Sequence, residues 1–416
     1  MQIKNRFLAL LTYSEKYTKT DMKYFAHGNF WLFIGRIVAT LTGIGLTITF
    51  ANLLTKEAFG TYRYVLSAAG FLMSFTLSGM GTAITRAVAQ GNDGVIYSSF
   101  KTSIIWSLGA TFLAFIAGGY YLINDNLILA ISFLIIGLVL PLSSATGLSK
   151  SFLHGKKDFK LLTTSSIPRN IITIGIMIVT VFLTKNILII IAVYFSSSLL
   201  ASWLVYLYVL NKHKPIQSDD EKNNTFNYSK HLSLSGFFTQ MASQLDQLLL
   251  WHFAGPIQVA MYTFATAPVK EIGNLTSNIY PLALPKFANK KIEDVKKMIP
   301  LRMMQISIIL ALVVISYILA APYIFKILFP QYIDAVRYSQ FFSLFLLFQS
   351  KEFISTTIIA HAKIKKNYII TITQSVAKIL LLLILLPLYG IMGAIIAILL
   401  SEIISTIILF ILLRKM

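Results

Sequence analysis

The sequence predicts an all-α protein that crosses the membrane many times. Three observations carry this. The chain is 56% hydrophobic and 12% charged, with a mean hydropathy of +0.72, whereas an ordinary soluble domain is about 25% charged. Stretches at 104–123, 127–148, 187–210, 303–320 and 379–411 are apolar for long enough to cross a hydrocarbon core of about 30 Å as helix. Short alternating segments are absent, which excludes a closed barrel. Cysteine is absent too, so helix packing alone must hold the fold. The N-terminal run MQIKNRFLALLTYSEKYTKTDMKYF has a short apolar segment and no small-residue cleavage site, and no cleaved signal peptide is expected.

Twelve spans follow along the chain. The first, 25–53, succeeds the basic N-terminus. The second, 62–86, is preceded by Phe59-Gly60-Thr61-Tyr62, read as a turn. Spans 102–123 and 127–149 are separated only by NDN, which makes them an antiparallel pair. The fifth, 167–184, is short, and Ser165 or Ser166 before Pro168 reads as its cap and start. Span 187–210 completes the first set. After the polar stretch 211–230 come 231–253, marked by Gln240, Ser243, Gln244 and Gln247, then 258–286, 302–320 and 338–361. Spans 367–387 and 389–412 are separated by the tight return LPLYG.

The distribution of Lys and Arg supports an even count. With a cytoplasmic N-terminus, 27 basic residues fall in cytoplasmic segments and five (Lys56, Arg63, Lys185, Lys326 and Arg337) on the other side. Such an asymmetry places both termini in the cytoplasm. It also accounts for most of the net charge of +20 without nucleic acid as a partner. The spans divide into an N-terminal six-helix bundle at 1–210, a cytoplasmic linker at 211–230 and a C-terminal six-helix bundle at 231–416. FGTY at 59–62 and VAMY at 259–262 precede the second helix of each half. GMGTAITRAVAQ with Arg86 and IYPLALPKFANK with Lys286 follow them at the same displacement. Six helices per half give both halves one orientation, with the symmetry axis along the membrane normal. Gly60 and Ala260 are expected at tight outer turns, and Tyr62, Tyr64 and Tyr262 in the interfacial belt.

Charges inside spans are costly in lipid and should face protein or a water-filled cavity. They are Arg36, Lys270, Lys351, Lys378, Asp246, Glu271, Glu352 and Glu402. Arg36 lies about 16 Å into the first helix at the helical rise. Lys351-Glu352 also fits a structural ion pair, and Arg36 fits a strut to Asp246. Cations within the membrane suit an anionic substrate or its phosphate head. Candidate substrate contacts are therefore Arg36, Lys270 and Lys378, and candidate ion-coupling acids are Asp246, Glu271, Glu352 and Glu402. The lysine-rich loops at 150–160 and 286–297 suit anionic lipid heads or topology determination alone. Enzyme chemistry finds no foothold: the six histidines have no metal-ligand spacing, and no HExxH, Walker A or GxSxG motif occurs. The loop acids Asp158, Asp219, Asp220, Glu221, Glu293 and Asp294 sit among lysines, unlike the metal-diphosphate clusters expected of a membrane transferase.

FANLLTKEAFGTYRYVLSAAGFLMSFTLSGMGTAITRAVAQ at 50–90 resembles the first signature of polysaccharide export proteins, an apolar helix leading to FG.Y and a G.G..R segment. It is similar to bacterial O-antigen flippases of the Wzx type, within the multidrug/oligosaccharidyl-lipid/polysaccharide (MOP) exporter superfamily. Residues 245–288 look like the matching segment of the second half, with Asp246 and a departure at Ala260-Met261. The resemblance implies a MATE-like exporter fold of two bundles in the bacterial cell inner membrane. It implies movement of undecaprenyl-pyrophosphate-linked oligosaccharide from the cytoplasmic to the periplasmic leaflet by alternating access. Implied partners are that substrate, membrane lipids and the polysaccharide polymerase machinery. No cofactor is implied, and proton or sodium coupling stays open. The alternative is an ion-coupled multidrug or small-molecule antiporter of the same superfamily.

Overall fold

A computed structural model describes residues 22–216, 222–277, 292–360 and 364–414. The helices are α1 Met22–Leu53, α2 Lys56–Leu72, α3 Met80–Ala89, α4 Val95–Ile123, α5 Leu127–Thr146, α6 Leu148–Gly155 and α7 Phe159–Leu183. They continue with α8 Ile187–His213, α9 Lys222–Ser277, α10 Ile292–Leu328, α11 Val336–Phe342, α12 Glu352–Ala360 and α13 Ile364–Arg414. Among the described residues no strand occurs, and seven helical spans are long and apolar enough to cross a membrane. The number is eight if the bent pair 56–75 and 80–89 is one span. This is an all-α polytopic membrane protein.

Two long helical segments reverse direction. Tyr262 donates a 2.6 Å hydrogen bond to Asp246 across Gly255, whose φ is 81°. Sixteen residues of straight helix would hold those positions about 24 Å apart, so α9 folds back there. Left-handed φ is open to glycine at little cost, which is why the break falls at this residue. In α13, Gln374 donates to Glu402 at 3.0 Å across Gly390, with φ 55°. The return expected near Pro387 therefore forms. A Cβ on Gly393 would stand 2.0 Å from the Leu385 carbonyl oxygen, so this hairpin closes backbone to backbone.

The chain forms two compact units, one of residues 1–47 with 72–236 and one of 48–71 with 237–416. In the first, α4 and α5 pack through small and hydroxyl residues: Thr111 donates to the Gly137 carbonyl at 2.9 Å, and Ser107 and Ser144 lie 2.8 Å apart. Close packing of small residues is the usual basis of helix association in lipid. The NDN return places Asp125 at φ 55° and lets the Asn126 side chain cap α5 at Leu129. An apolar cluster of Met80, Ile84, Ile96, Phe152, Leu161 and Val209 ties α3, α4, α6, α7 and α8 together.

Several expectations are corrected. The fifth span does not start at Pro168: α7 begins at Phe159, capped by Asp158, whose carboxylate accepts from the Leu161 amide at 3.0 Å. Pro168 and Arg169 both lie inside the helix. The FGTY segment is not a turn but part of α2, whose axis ends in a 3₁₀ turn at Met73–Phe75 and then bends by 59° into α3. Gly60 serves a close approach instead: a Cβ there would lie 1.9 Å from the Pro256 carbonyl oxygen. Tyr62, Tyr64 and Tyr262 are buried rather than interfacial. Arg63, counted among outer loop charges, is likewise on α2. Lys286 and the rest of 286–291 lie outside the described residues, and 292–297 of the expected loop form the start of α10.

In the second unit, α2 docks on α9 through aromatic and amide contacts. Tyr64 stacks on Trp251 with centroids 4.5 Å apart, and Phe59 packs on Phe264 at 4.8 Å. Gln247 accepts from Ser67 at 2.7 Å, and Gln240 donates to the Gly70 carbonyl at 3.2 Å. Two of the glutamines that mark this span in sequence are thus structural ties.

Candidate functional site

A cavity of about 490 Å³ opens within the second unit. Its walls come from α9, α12, α13 and the 3₁₀ segment Ser343–Lys351. Six charged side chains line it: Lys270, Lys351, Lys378, Asp246, Glu352 and Glu402. Three cations face three carboxylates inside an apolar bundle, and hydroxyls of Thr239, Ser243, Ser355, Thr371 and Ser375 fill the intervals.

One charge cluster centres on Asp246, which is 1% exposed. Its carboxylate accepts from the Tyr262 hydroxyl at 2.6 Å and from the Gln247 amide at 2.9 Å, and Lys378 lies 3.8 Å away. The Lys270 ammonium stands 5.6 Å from the centroid of the Tyr262 ring, and both Asp246 and Arg63 are within its electrostatic reach. A cation over an aromatic face gains attraction from the ring quadrupole. Tyr262 therefore bridges the acid and the lysine, with its hydroxyl on one and its ring under the other.

The second cluster centres on Lys351, which is 5% exposed. It donates to Glu402 at 2.5 Å and to Ser405 at 2.9 Å. Gln374 completes a ring by donating to Glu402 at 3.0 Å and accepting from Ser405 at 3.1 Å. A buried ion pair holds only when its remaining lone pairs and protons are also satisfied, and this ring supplies those partners. Glu352 lies beside it and bonds Ser355.

The seven candidates distribute unequally. Lys270, Lys378, Asp246, Glu352 and Glu402 share the cavity. Glu271 is exposed and does not line it. Arg36 is exposed on the part of α1 that belongs to the first unit. The ion pair of Asp246 is made by Lys378, and that of Lys351 by Glu402 rather than by its neighbour Glu352. Tyr262, Gln374 and Ser405 were not singled out from sequence as site residues. A glutamine in an otherwise apolar helix, as at Gln374, was a readable signal. Among the described residues, no group of three or more His, Asp or Glu side chains could hold a metal ion.

Comparison with known proteins places this geometry among relatives. The profile of the family described as polysaccharide biosynthesis protein matches residues 25–288. An uncharacterized membrane protein of Methanocaldococcus jannaschii is 24% identical over 262 residues, which are 58% of this chain and 62% of that protein. The match thus spans less than two thirds of that relative's length. Among solved structures, the lipid II flippase MurJ in an inward closed conformation superposes with a TM-score of 0.63 at 15% identity, covering 94% of this chain and 87% of that one. A multidrug resistance MATE family transporter of the MOP superfamily, outward-facing, gives 0.62 at 16% identity, covering 94% and 95%. A MOP superfamily transporter from Pyrococcus furiosus, described as having a binding pocket of reverse polarity, gives 0.55 at 15% identity, covering 94% and 95%. These likenesses establish a MATE-like fold.

Proposed function

We propose, from the premise that this chain belongs to the polysaccharide biosynthesis protein family, that it translocates an oligosaccharide linked to a lipid through a pyrophosphate. The observation that carries this reading is the placement of Lys270, Lys351 and Lys378 on one cavity inside the membrane-spanning bundle. A charged lysine within a membrane span is costly unless a carboxylate, an anionic ligand or a water-filled cavity meets it. Lys378 is 3.8 Å from Asp246, a separation at which the ammonium can exchange that partner for a phosphate oxygen. Lys270, braced on the Tyr262 ring, supplies a second donor, while the Glu402 ring holds Lys351 in place.

In the full reading, twelve spans form two six-helix bundles with both termini in the cytoplasm of a bacterial inner membrane. The reversals at Gly255 and Gly390 support that count. The headgroup, undecaprenyl pyrophosphate bearing its glycan, is neutralised in the cavity, and alternating access exposes it to the periplasmic leaflet. The polymerase machinery then consumes the translocated unit in the synthesis of O-antigen or a related surface polysaccharide. Transport needs no catalytic group, and the protein acts as a transporter rather than an enzyme.

A second reading has its own support. Asp246, Glu352 and Glu402 line the same cavity, as an ion-coupled antiporter of small molecules requires, and one likeness of fold is to a multidrug transporter. Purified protein in vesicles separates the two. Fluorescent lipid-linked oligosaccharide should change leaflet with wild-type protein and lose most of that movement with Lys270→Gln or Lys378→Gln. Static oligosaccharide together with gradient-driven efflux of a cationic dye would replace the first reading by the second.

A further inference from the structure

Arg169 lies ten residues inside α7, about 15 Å along the helix from its start at Phe159. It lines a groove of about 780 Å³ between α7 and α8 in the first unit. The groove is otherwise walled mainly by Pro168, Ile172, Ile176, Val193, Leu200 and Leu204. A few hydroxyls accompany the guanidinium: Thr164, Ser165, Ser196 and Ser197 line the same groove, and the Tyr194 phenol is within electrostatic reach. Among the described residues, no carboxylate lies within ion-pair distance of Arg169.

A guanidinium within a span is costly unless an anion meets it, and here the chain's described residues supply none. Arginine's planar fork matches phosphate oxygens, and apart from those hydroxyls the groove is largely apolar. We infer that this groove binds a prenyl-phosphate lipid, its phosphate on Arg169 and its tail along Ile172, Ile176, Leu200 and Leu204. The lipid-linked substrate proposed above supplies that occupant, and a resident phospholipid is the rival that the competition arm of the test separates from it. The inference rests on the lipid-linked substrate proposed above and assigns that substrate a second site.

The test uses full-length protein in phosphatidylcholine nanodiscs and undecaprenyl pyrophosphate carrying a diazirine near its head. Photolabelled peptides should map to 159–183 and 187–213. Arg169→Gln should lower labelling about tenfold, the loss of roughly one charge-assisted contact, and Arg169→Lys should fall between. Ala201→Phe narrows the groove without touching the cation and should also lower labelling, so a poorly folded Arg169→Gln does not leave the question open. Undecaprenyl phosphate should compete and phosphatidylglycerol should not. Labelling elsewhere, labelling unchanged in Arg169→Gln and Ala201→Phe, or equal competition by phosphatidylglycerol overturns the site. Translocation in vesicles without groove labelling defeats this inference and spares the parent reading, whereas groove labelling without translocation does the reverse.

Discussion

Asp246 holds its place through three partners on two arms of one reversed helix and a lysine of another: Tyr262, the Gln247 amide and Lys378. Removing Lys378 leaves a carboxylate that is 1% exposed without its nearest counter-charge, and among the described residues only Lys270 remains within reach. Lys378→Met should therefore cost about 3 kcal/mol, the lower end for a buried pair broken on one side, read as a fall in folded abundance. Lys378→Met with Asp246→Asn should recover abundance beyond Lys378→Met alone, because the buried carboxylate that lost its nearest counter-charge is gone. Tyr262→Phe removes a donor from the same carboxylate and should destabilise by about 1–3 kcal/mol, while leaving the ring beneath Lys270. Transport per folded molecule should fall with Lys378→Met and stay low in the double variant, since the lysine's charge is needed for cargo and not only for folding. At this scale the sequence announced the charged residues, because charge in an apolar run is conspicuous. It did not announce their pairing. Lys351 and Glu352 are neighbours in sequence, but successive helical positions point apart, and the partner of Lys351 is Glu402, 51 residues on.

Glycine placement decides how the elements close on one another. Gly60 and Gly393 each meet a backbone carbonyl, which cannot move aside as a side-chain tip can, at 1.9 and 2.0 Å from a built Cβ. Gly60→Ala and Gly393→Ala should both strongly reduce folded protein in the membrane. Gly43→Ala, with open space around its Cβ, should be neutral in the same fluorescence size-exclusion assay. The element pattern was legible where apolar length and turn chemistry agree, as at NDN between α4 and α5. It failed at α7 because Pro168 reads as a start, whereas the structure carries the helix through it from an Asp158 cap. It also failed at FGTY: composition shows that Gly60 is small and Tyr62 aromatic, but only the fold shows that Pro256 approaches one and that the other is buried.

For the whole molecule, membrane residence follows from composition, and the units follow from packing. The sequence-based division at 211–230 tracks span order. The compact units instead group 48–71 with 237–416, through contacts such as Ser67 with Gln247 that no periodicity reports. Reporter fusions test the twelve-span topology: those after residues 125, 185 and 388 should read periplasm, and those after 157, 222 and 415 cytoplasm, on the 27-to-five basic asymmetry. A cytoplasmic signal at 125 or 388 would break that topology. The central claim is that the cargo is a lipid-linked oligosaccharide, and its most direct measurement is the leaflet distribution of labelled lipid-linked oligosaccharide in a strain lacking this protein. Accumulation on the cytoplasmic leaflet with loss of surface polysaccharide, and drug susceptibility nearly unchanged, is the predicted result. Normal translocation accompanied by drug hypersensitivity would contradict it.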